Sequence, residues 1–300
     1  MIYRLLLSLI LELAKIIALV VPKRKWRHKI REKVRAYVLP LYFRLRYLPR
    51  LAPPAGAKGP SSDNIWQIWF QGEDKAPPLV KACFRSVRKF KGRHAQKILD
   101  AKQLSKLIKL PDYIEEKYRR GKIKIQHYSD LARLELLYQY GGIWMDATNL
   151  MTAPIPEIIE KSGFFVFHTG SEGIGSAYAM FQNCFIVARK GDPLLAMWRQ
   201  MCFEFWKRES YMIDYFYGQM MLKALVLYNP IAAREYAKMP RLSQDPTHIF
   251  CHFSRHDLYG KFDRKEFRAL TANSFFQKLR YRKEPSPKGS VAWAVEHGET

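Results

Sequence analysis

Ser129-Asp130-Leu131-Ala132-Arg133-Leu134-Glu135-Leu136-Leu137-Tyr138-Gln139-Tyr140-Gly141-Gly142-Ile143-Trp144-Met145-Asp146-Ala147-Thr148 is the stretch from which the rest of the chain can be read. Leu131, Leu134, Leu137 and Tyr138 keep helical spacing behind a serine suited to an N-cap, which predicts a helix over 129–140. Gly141-Gly142 stops it. Ile143-Trp144-Met145 then reads as a buried strand, and Asp146 stands where the chain leaves the sheet. Asp130 and Arg133, three apart, project from one face of the helix's first turn. Taken singly, they are as well explained by an intrahelical ion pair, and Asp146 by a turn cap. Their co-occurrence with the paired glycines instead makes a small-ligand constellation, since ligands in open α/β sheets settle at the carboxyl ends of strands.

Working outward, Ile65 to Phe70 is a β-prone run, and Pro77-Pro78 open a helix through about Phe90 with Val80, Phe84 and Val87 on one face. A strand follows at 95–99, then short helical pieces over 101–118. Further strands are expected at 164–168 and 184–188, with helices at 193–208 and 211–227. Strands alternating with helices predict an α/β layer fold. The hydrophobic share of 48% is enough to bury a core.

The net charge of +24 is uneven: residues 1–60 hold fourteen Lys/Arg against only Glu12 and Glu32, half of the excess in a fifth of the chain. Such a block attracts the phosphates of anionic lipid or of nucleic acid. It adjoins an apolar run, Ile2 to Val21, broken by Arg4, Ser8, Glu12 and Lys15, and no nucleic-acid reading motif accompanies it. An amphipathic helix lying on an anionic membrane is the favoured reading over a spanning helix; a terminal helix packed on the protein's own core is the competing one. Residues 51–62, rich in Pro, Gly, Ala and Ser, read as a linker. The expected organisation is therefore 1–50 membrane-associating segment, 51–62 linker, 63–283 main domain and 284–300 tail. Cys83, Cys184, Cys202 and Cys251 show no paired spacing, which speaks for a reducing compartment and against structural zinc.

A strand-end carboxylate suits Mg²⁺ or Mn²⁺ shared with a pyrophosphate, and Asp130 with Arg133 can grip sugar hydroxyls by charge-assisted hydrogen bonds. The pattern Ser-Asp-x-x-Arg-x-x-x-Leu-Tyr-x-x-Gly-Gly-x-x-x-Asp resembles the core signature of the sugar-binding-region "DXD" glycosyltransferases. It is most similar to their bacterial capsular polysaccharide synthesis branch, in which Asp-Ala-Thr replaces Asp-x-Asp. Ile65-Trp66-Gln67-Ile68-Trp69, Gln71-Gly72 and Pro77 to Cys83 resemble that family's first strand and helix. Pro111-Asp112-Tyr113-Ile114, Ile213-Asp214-Tyr215-Phe216 and Ser274 to Leu279 resemble later elements.

The resemblance implies a GT-A (Rossmann-like) fold, a nucleotide-sugar donor (UDP-sugar favoured), a divalent metal, and retaining transfer to a saccharide or lipid-linked saccharide. It implies that Ser129, Asp130 and Arg133 hold the donor sugar, that Trp66 or Trp69 with Gln67 flank the base, and that Asp146 binds metal. Thr148 stands where a second carboxylate would be, so Thr148, Asn149 or a distant residue would complete the metal site; His252 and His256 are candidates. Lys278 is a candidate phosphate contact, Asp214 a candidate for orienting the acceptor hydroxyl, and Asn183, after Gln182, a candidate for the acceptor side. The expected location is the cytoplasmic face of a bacterial inner membrane. The rival expectation is a non-catalytic membrane-peripheral binding protein of the same fold.

Overall fold

From residue 64 onward, short runs of aromatic and β-branched residues alternate with helically spaced ones, and the chain folds into a mixed α/β arrangement around a largely buried sheet. The computed structural model describes residues 2–52, 54, 60–169, 177–251, 256–280 and 285–300. In chain order the elements are α1 (Ile2–Leu19), α2 (Arg24–Arg46), β1 (Asn64–Ile68), α3 (Pro78–Phe90), β2 (Ala95–Leu99) and α4 (Ala101–Leu107). Then come α5 (Asp112–Arg119), α6 (Ile125–Tyr140), β3 (Gly142–Met145), β4 (Asn149–Met151), α7 (Glu157–Glu160) and β5 (Phe164–His168). β6 (Phe181–Ala188), α8 (Pro193–Arg208), α9 (Tyr217–Tyr228), α10 (Pro230–Ala237), α11 (Arg264–Thr271), β7 (Phe276–Lys278) and α12 (Val291–His297) complete the chain.

The main sheet runs β2-β1-β3-β6-β5. β1 pairs in parallel with both β2 and β3, while β3–β6 and β5–β6 are antiparallel. β1 and β3 are parallel neighbours, so Trp69 and Asp146, each next after its strand, leave the sheet at the same edge. β6 runs the other way with Phe185 opposite Met145, which brings Asn183 to that edge too. A second, two-stranded sheet pairs β4 with β7, Asn149 facing Lys278.

The paired glycines between α6 and β3 are demanded by the backbone. Gly141 and Gly142 have φ of +68° and +102°, a region that disfavours side chains. A Cβ on Gly142 would lie 2.6 Å from the Asn64 carbonyl oxygen, and one on Gly141 2.6 Å from the Lys190 nitrogen. Gly142→Ala is expected to cost about 1–3 kcal/mol, the range for a strained φ held by its surroundings. Urea unfolding measures it; a loss under about 0.5 kcal/mol, the range of an ordinary surface substitution, would contradict the account.

Several expectations need correction. The 129–140 helix starts earlier, at Ile125 behind Lys124, so Ser129 is not its N-cap. The helix expected from Tyr211 begins at Tyr217, because the Asp214 carboxylate takes the Phe216 backbone N–H at 2.9 Å and holds that stretch in a turn. Within the expected 1–50 segment, Leu39, Tyr42, Phe43 and Tyr47 of α2 and the following turn join the main core. Within the 284–300 tail, Val291, Ala292 and Val295 pack with Leu79 and Cys83. The 51–62 linker falls partly outside the described residues.

α1 turns Leu7, Ala14 and Ala18 inward and leaves Leu5, Leu6, Leu9, Leu13, Ile16 and Ile17 exposed. Among the described residues, no helix is long and apolar enough to cross a membrane.

Candidate functional site

At the sheet edge where β1 and β3 end, a cleft of ≈ 390 Å³ is lined by Trp69, Phe70, Ser129, Asp130, Arg133, Trp144, Asp146, Thr148, Asn183, Tyr215 and Lys278, among others. Helix α6 supplies Ser129, Asp130 and Arg133. The turn after β3, closed by the Asn149 N–H on the Asp146 carbonyl at 3.0 Å, supplies Asp146 and Thr148. β7 supplies Lys278.

Arg133 is the hub. Its Nη2 lies 3.0 Å from Asp130 Oδ1 and 3.3 Å from Asp146 Oδ1, so one guanidinium nitrogen joins the helix carboxylate to the strand-end carboxylate. Its Nη1 donates to the Asn183 carbonyl at 2.5 Å, and the group sits 4.6 Å over the Trp144 ring. Asp130 is further fixed by the Asn183 amide at 2.9 Å and by His127 Nδ1 at 3.2 Å. Trp144 Nε1 donates to Asp146 Oδ1 at 2.8 Å.

Lys278 completes the cluster from the far end of the chain. Its Nζ donates to Asp146 Oδ2 at 2.6 Å and to Thr148 Oγ1 at 2.7 Å. Burial works against the Asp146 charge, but Lys278 and Arg133, with the hydrogen bonds from Lys278 and Trp144, outweigh it and hold the carboxyl below the usual carboxylate range. For Lys278, burial pulls the other way, yet the Asp146 carboxylate keeps its ammonium protonated above the usual lysine range. Two carboxylates and two cations thus balance.

The sequence-predicted residues divide. Trp69, Ser129, Asp130, Arg133, Asp146, Thr148, Asn183 and Lys278 meet in the cleft. Trp66 does not line it: its indole N–H goes to the Gly141 carbonyl at 2.9 Å inside the core. Gln67 is buried, taking the Gln96 amide at 2.7 Å and tying β1 to β2. Asp214 is buried away from the cleft, held by Arg35 at 3.1 Å and by the Tyr178 hydroxyl at 2.8 Å; its neighbour Tyr215 lines the cleft instead. His256 lies apart, 3.9 Å from Glu266, and His252 falls outside the described residues. Asn149 donates its amide to the Cys184 carbonyl at 2.9 Å.

Sequence reasoning missed Trp144, His127 and Tyr215. Trp144 was legible: two residues before Asp146 on a strand, it shares that residue's face. His127 sits three residues ahead of Asp130, within helical reach, but outside a helix begun at Ser129.

Without a bound diphosphate, the side chains by themselves do not make a shell for a divalent ion. Mg²⁺ or Mn²⁺ wants several oxygens in a near-octahedral shell. The side-chain oxygens here are the Asp130 and Asp146 carboxylates, the Thr148 hydroxyl and the buried Asn149 Oδ1, which has no hydrogen-bond partner among the described residues. Asp146 Oδ2 and Thr148 Oγ1 both accept from Lys278, and Asp146 Oδ1 is engaged by Trp144 and Arg133. Among the described residues, no group of three or more His, Cys, Asp or Glu side chains is placed to hold a metal.

Residues 49–293 match the family described as capsular polysaccharide synthesis protein. Among curated relatives, "O-glycosyltransferase braB" of Annulohypoxylon truncatum is 27% identical over 167 residues, covering 49% of this chain and 38% of that protein. "Glycosyltransferase afumC" of Aspergillus fumigatus is 27% identical over 162 residues, covering 48% of this chain and 40% of its own. "O-glycosyltransferase PaGT" of Phomopsis amygdali is 23% identical, with shares of 50% and 40%. The chain thus spans about two-fifths of the length of these relatives. A solved structure, "PaToxG Glycosyltransferase", aligns with a TM-score of 0.40 at 17% identity, covering 68% of this chain and 85% of the other.

Proposed function

Because the chain belongs to the capsular polysaccharide synthesis protein family, we propose that it is a GT-A-type glycosyltransferase that moves a sugar from a nucleoside-diphosphate donor, UDP-sugar favoured, to a saccharide or lipid-linked saccharide. The observation that carries the reading is the meeting of Asp130, Arg133, Asp146 and Lys278 in one cleft beside Trp69. Such an arrangement suits a flat base joined to a dianionic linker and a hydroxyl-rich ring.

In this reading Trp69 stacks on the base and Asp130 accepts from ring hydroxyls, its position set by His127 and Asn183. The diphosphate lies between Arg133 and Lys278. As the glycosidic carbon–oxygen bond to the diphosphate breaks, charge grows on the leaving oxygen, and pre-placed cations meet it without rearrangement. The acceptor oxygen bonds to the same carbon and its proton passes to the leaving phosphate. That front-face course retains the anomeric configuration. The exposed apolar face of α1, followed by the basic run of α2, lies in this proposal against the anionic cytoplasmic surface of a bacterial inner membrane.

The test is release of nucleoside diphosphate from a panel of UDP-, GDP- and dTDP-sugars, with a saccharide acceptor. One donor is expected to turn over, with Asp130→Ala abolishing it. Silence across the panel would leave the fold with a binding role at the membrane rather than a catalytic one.

A further inference from the structure

We propose that the Lys278 ammonium is the resident cation of this centre and that the chain binds its donor diphosphate without a divalent metal. The inference rests on the donor-site reading above and deepens it.

The first observation is position. Lys278 Nζ stands 2.6 Å from Asp146 Oδ2 and 2.7 Å from Thr148 Oγ1, bridging the first and third residues of Asp146-Ala147-Thr148. Those two side chains would otherwise be the protein's ligands to a metal. The second is charge. With threonine at the third place, Asp130 and Asp146 are matched by Arg133 and Lys278 with nothing left over; a carboxylate at 148 would have left one negative charge for an added ion. A divalent cation entering here would face two fixed cations.

The third observation is how Lys278 is held. β7 pairs with β4 so that Lys278 faces Asn149, and the Leu279 N–H donates to the Thr148 carbonyl at 2.8 Å. The lysine backbone is therefore clamped to the turn that carries Asp146 and Thr148. Its side chain is only 18% exposed. An ammonium carries three N–H donors, so it can hold Asp146 and Thr148 and still donate to a phosphate oxygen. Arg133, bound to the opposite oxygen of Asp146, supplies the second positive charge.

The experiment is titration calorimetry of the EDTA-treated full chain with UDP, GDP, ADP and dTDP, repeated with Mn²⁺ and with Mg²⁺. Mn²⁺ uptake without nucleotide is followed by electron paramagnetic resonance. One diphosphate is expected to bind with the same dissociation constant, within about twofold, whether EDTA or metal is present. The protein alone should leave the Mn²⁺ spectrum unchanged. Lys278→Met should weaken that binding in EDTA by about tenfold or more. Lys278→Arg, which keeps a cation at the site, should retain most of it and controls for loss of fold. Binding that needs Mn²⁺ or Mg²⁺ and vanishes in EDTA would overturn the inference while leaving the donor site standing, as would an unchanged Lys278→Met. If no diphosphate binds under any condition, the donor-site reading falls, and this inference with it.

Discussion

Replacing Arg133 by lysine is expected to cut transfer, measured as kcat/KM for the donor, by about 10²–10³-fold while the protein stays folded. The guanidinium makes three separate polar contacts, to Asp130, Asp146 and the Asn183 carbonyl, and sits over the Trp144 ring. A lysine restores one point charge but neither the fork nor the stacking surface. The two carboxylates would then share a single tethered ammonium, and the donor ring and diphosphate would lose their common reference point. Arg133→Ala is the harsher change. It removes one partner from a nearly buried ionic network, a loss of about 3–5 kcal/mol in stability by itself. Steady-state kinetics alongside urea unfolding separates the two effects. If Arg133→Lys turned over within about threefold of the parent, well short of the loss for a missing charge-stabilising donor, the group would not meet developing charge.

The second large effect is expected far from the cleft. Glu209, just after α8, accepts from the Tyr42 hydroxyl at 3.0 Å, the Tyr47 hydroxyl at 2.8 Å and Arg46 Nε at 3.0 Å. Its carboxylate is nearly buried. All three donors belong to α2 or the turn that follows it, so this side chain joins the Arg35–Asp214 pair and the buried Leu39 and Phe43 in tying α2 to the main core. Glu209→Ala would leave two buried hydroxyls and a guanidinium without their acceptor, at a cost of about 3–5 kcal/mol. A fall in Tm of about 10 °C is expected for a chain of this size, read by calorimetry. Glu209→Gln, which keeps an acceptor oxygen but not the charge, should fall between. A Glu209→Ala protein melting within about 2 °C of the parent, equivalent to less than about 1 kcal/mol, would mean that the Arg35–Asp214 pair and apolar packing hold α2 by themselves.

What the sequence revealed depended on how local the cause was. The strands at 95–99 and 164–168 and helix α8 were legible because the turn residues and side-chain periodicity that mark them lie within or beside each element. Helix α2 was not recognised: its charge run obscures Leu39, Tyr42 and Phe43, whose spacing makes sense only once α9 and the core are in place. Strands β4 and β7 are three residues each, too short for an alternation to register.

The site divides the same way. Asp130 and Arg133 share a helix face, and Asp146 follows a strand, so all three could be read from spacing. The contact of Lys278 with Asp146 joins positions 132 residues apart, and no periodicity encodes it. Asp214 misled for a related reason: an aspartate ahead of aromatics looks chemical until Arg35, from the other end of the chain, is seen to hold it.

The distance along the chain between Lys278 and Asp146 bears on synthesis. A ribosome delivers Asp146, Trp144 and all of α6 long before β7 leaves the exit tunnel, and chains begin folding from the amino end as they emerge. Until β7 arrives, the strand-end carboxylate has Arg133 but not its second cation, and β4 lacks the strand it pairs with in the small sheet. The electrically balanced centre is therefore complete only once β7 is available, and so is the core that Phe276 shares with the main sheet. A chain truncated ahead of β7 would lose Phe276 from the main core together with the second cation of the cleft.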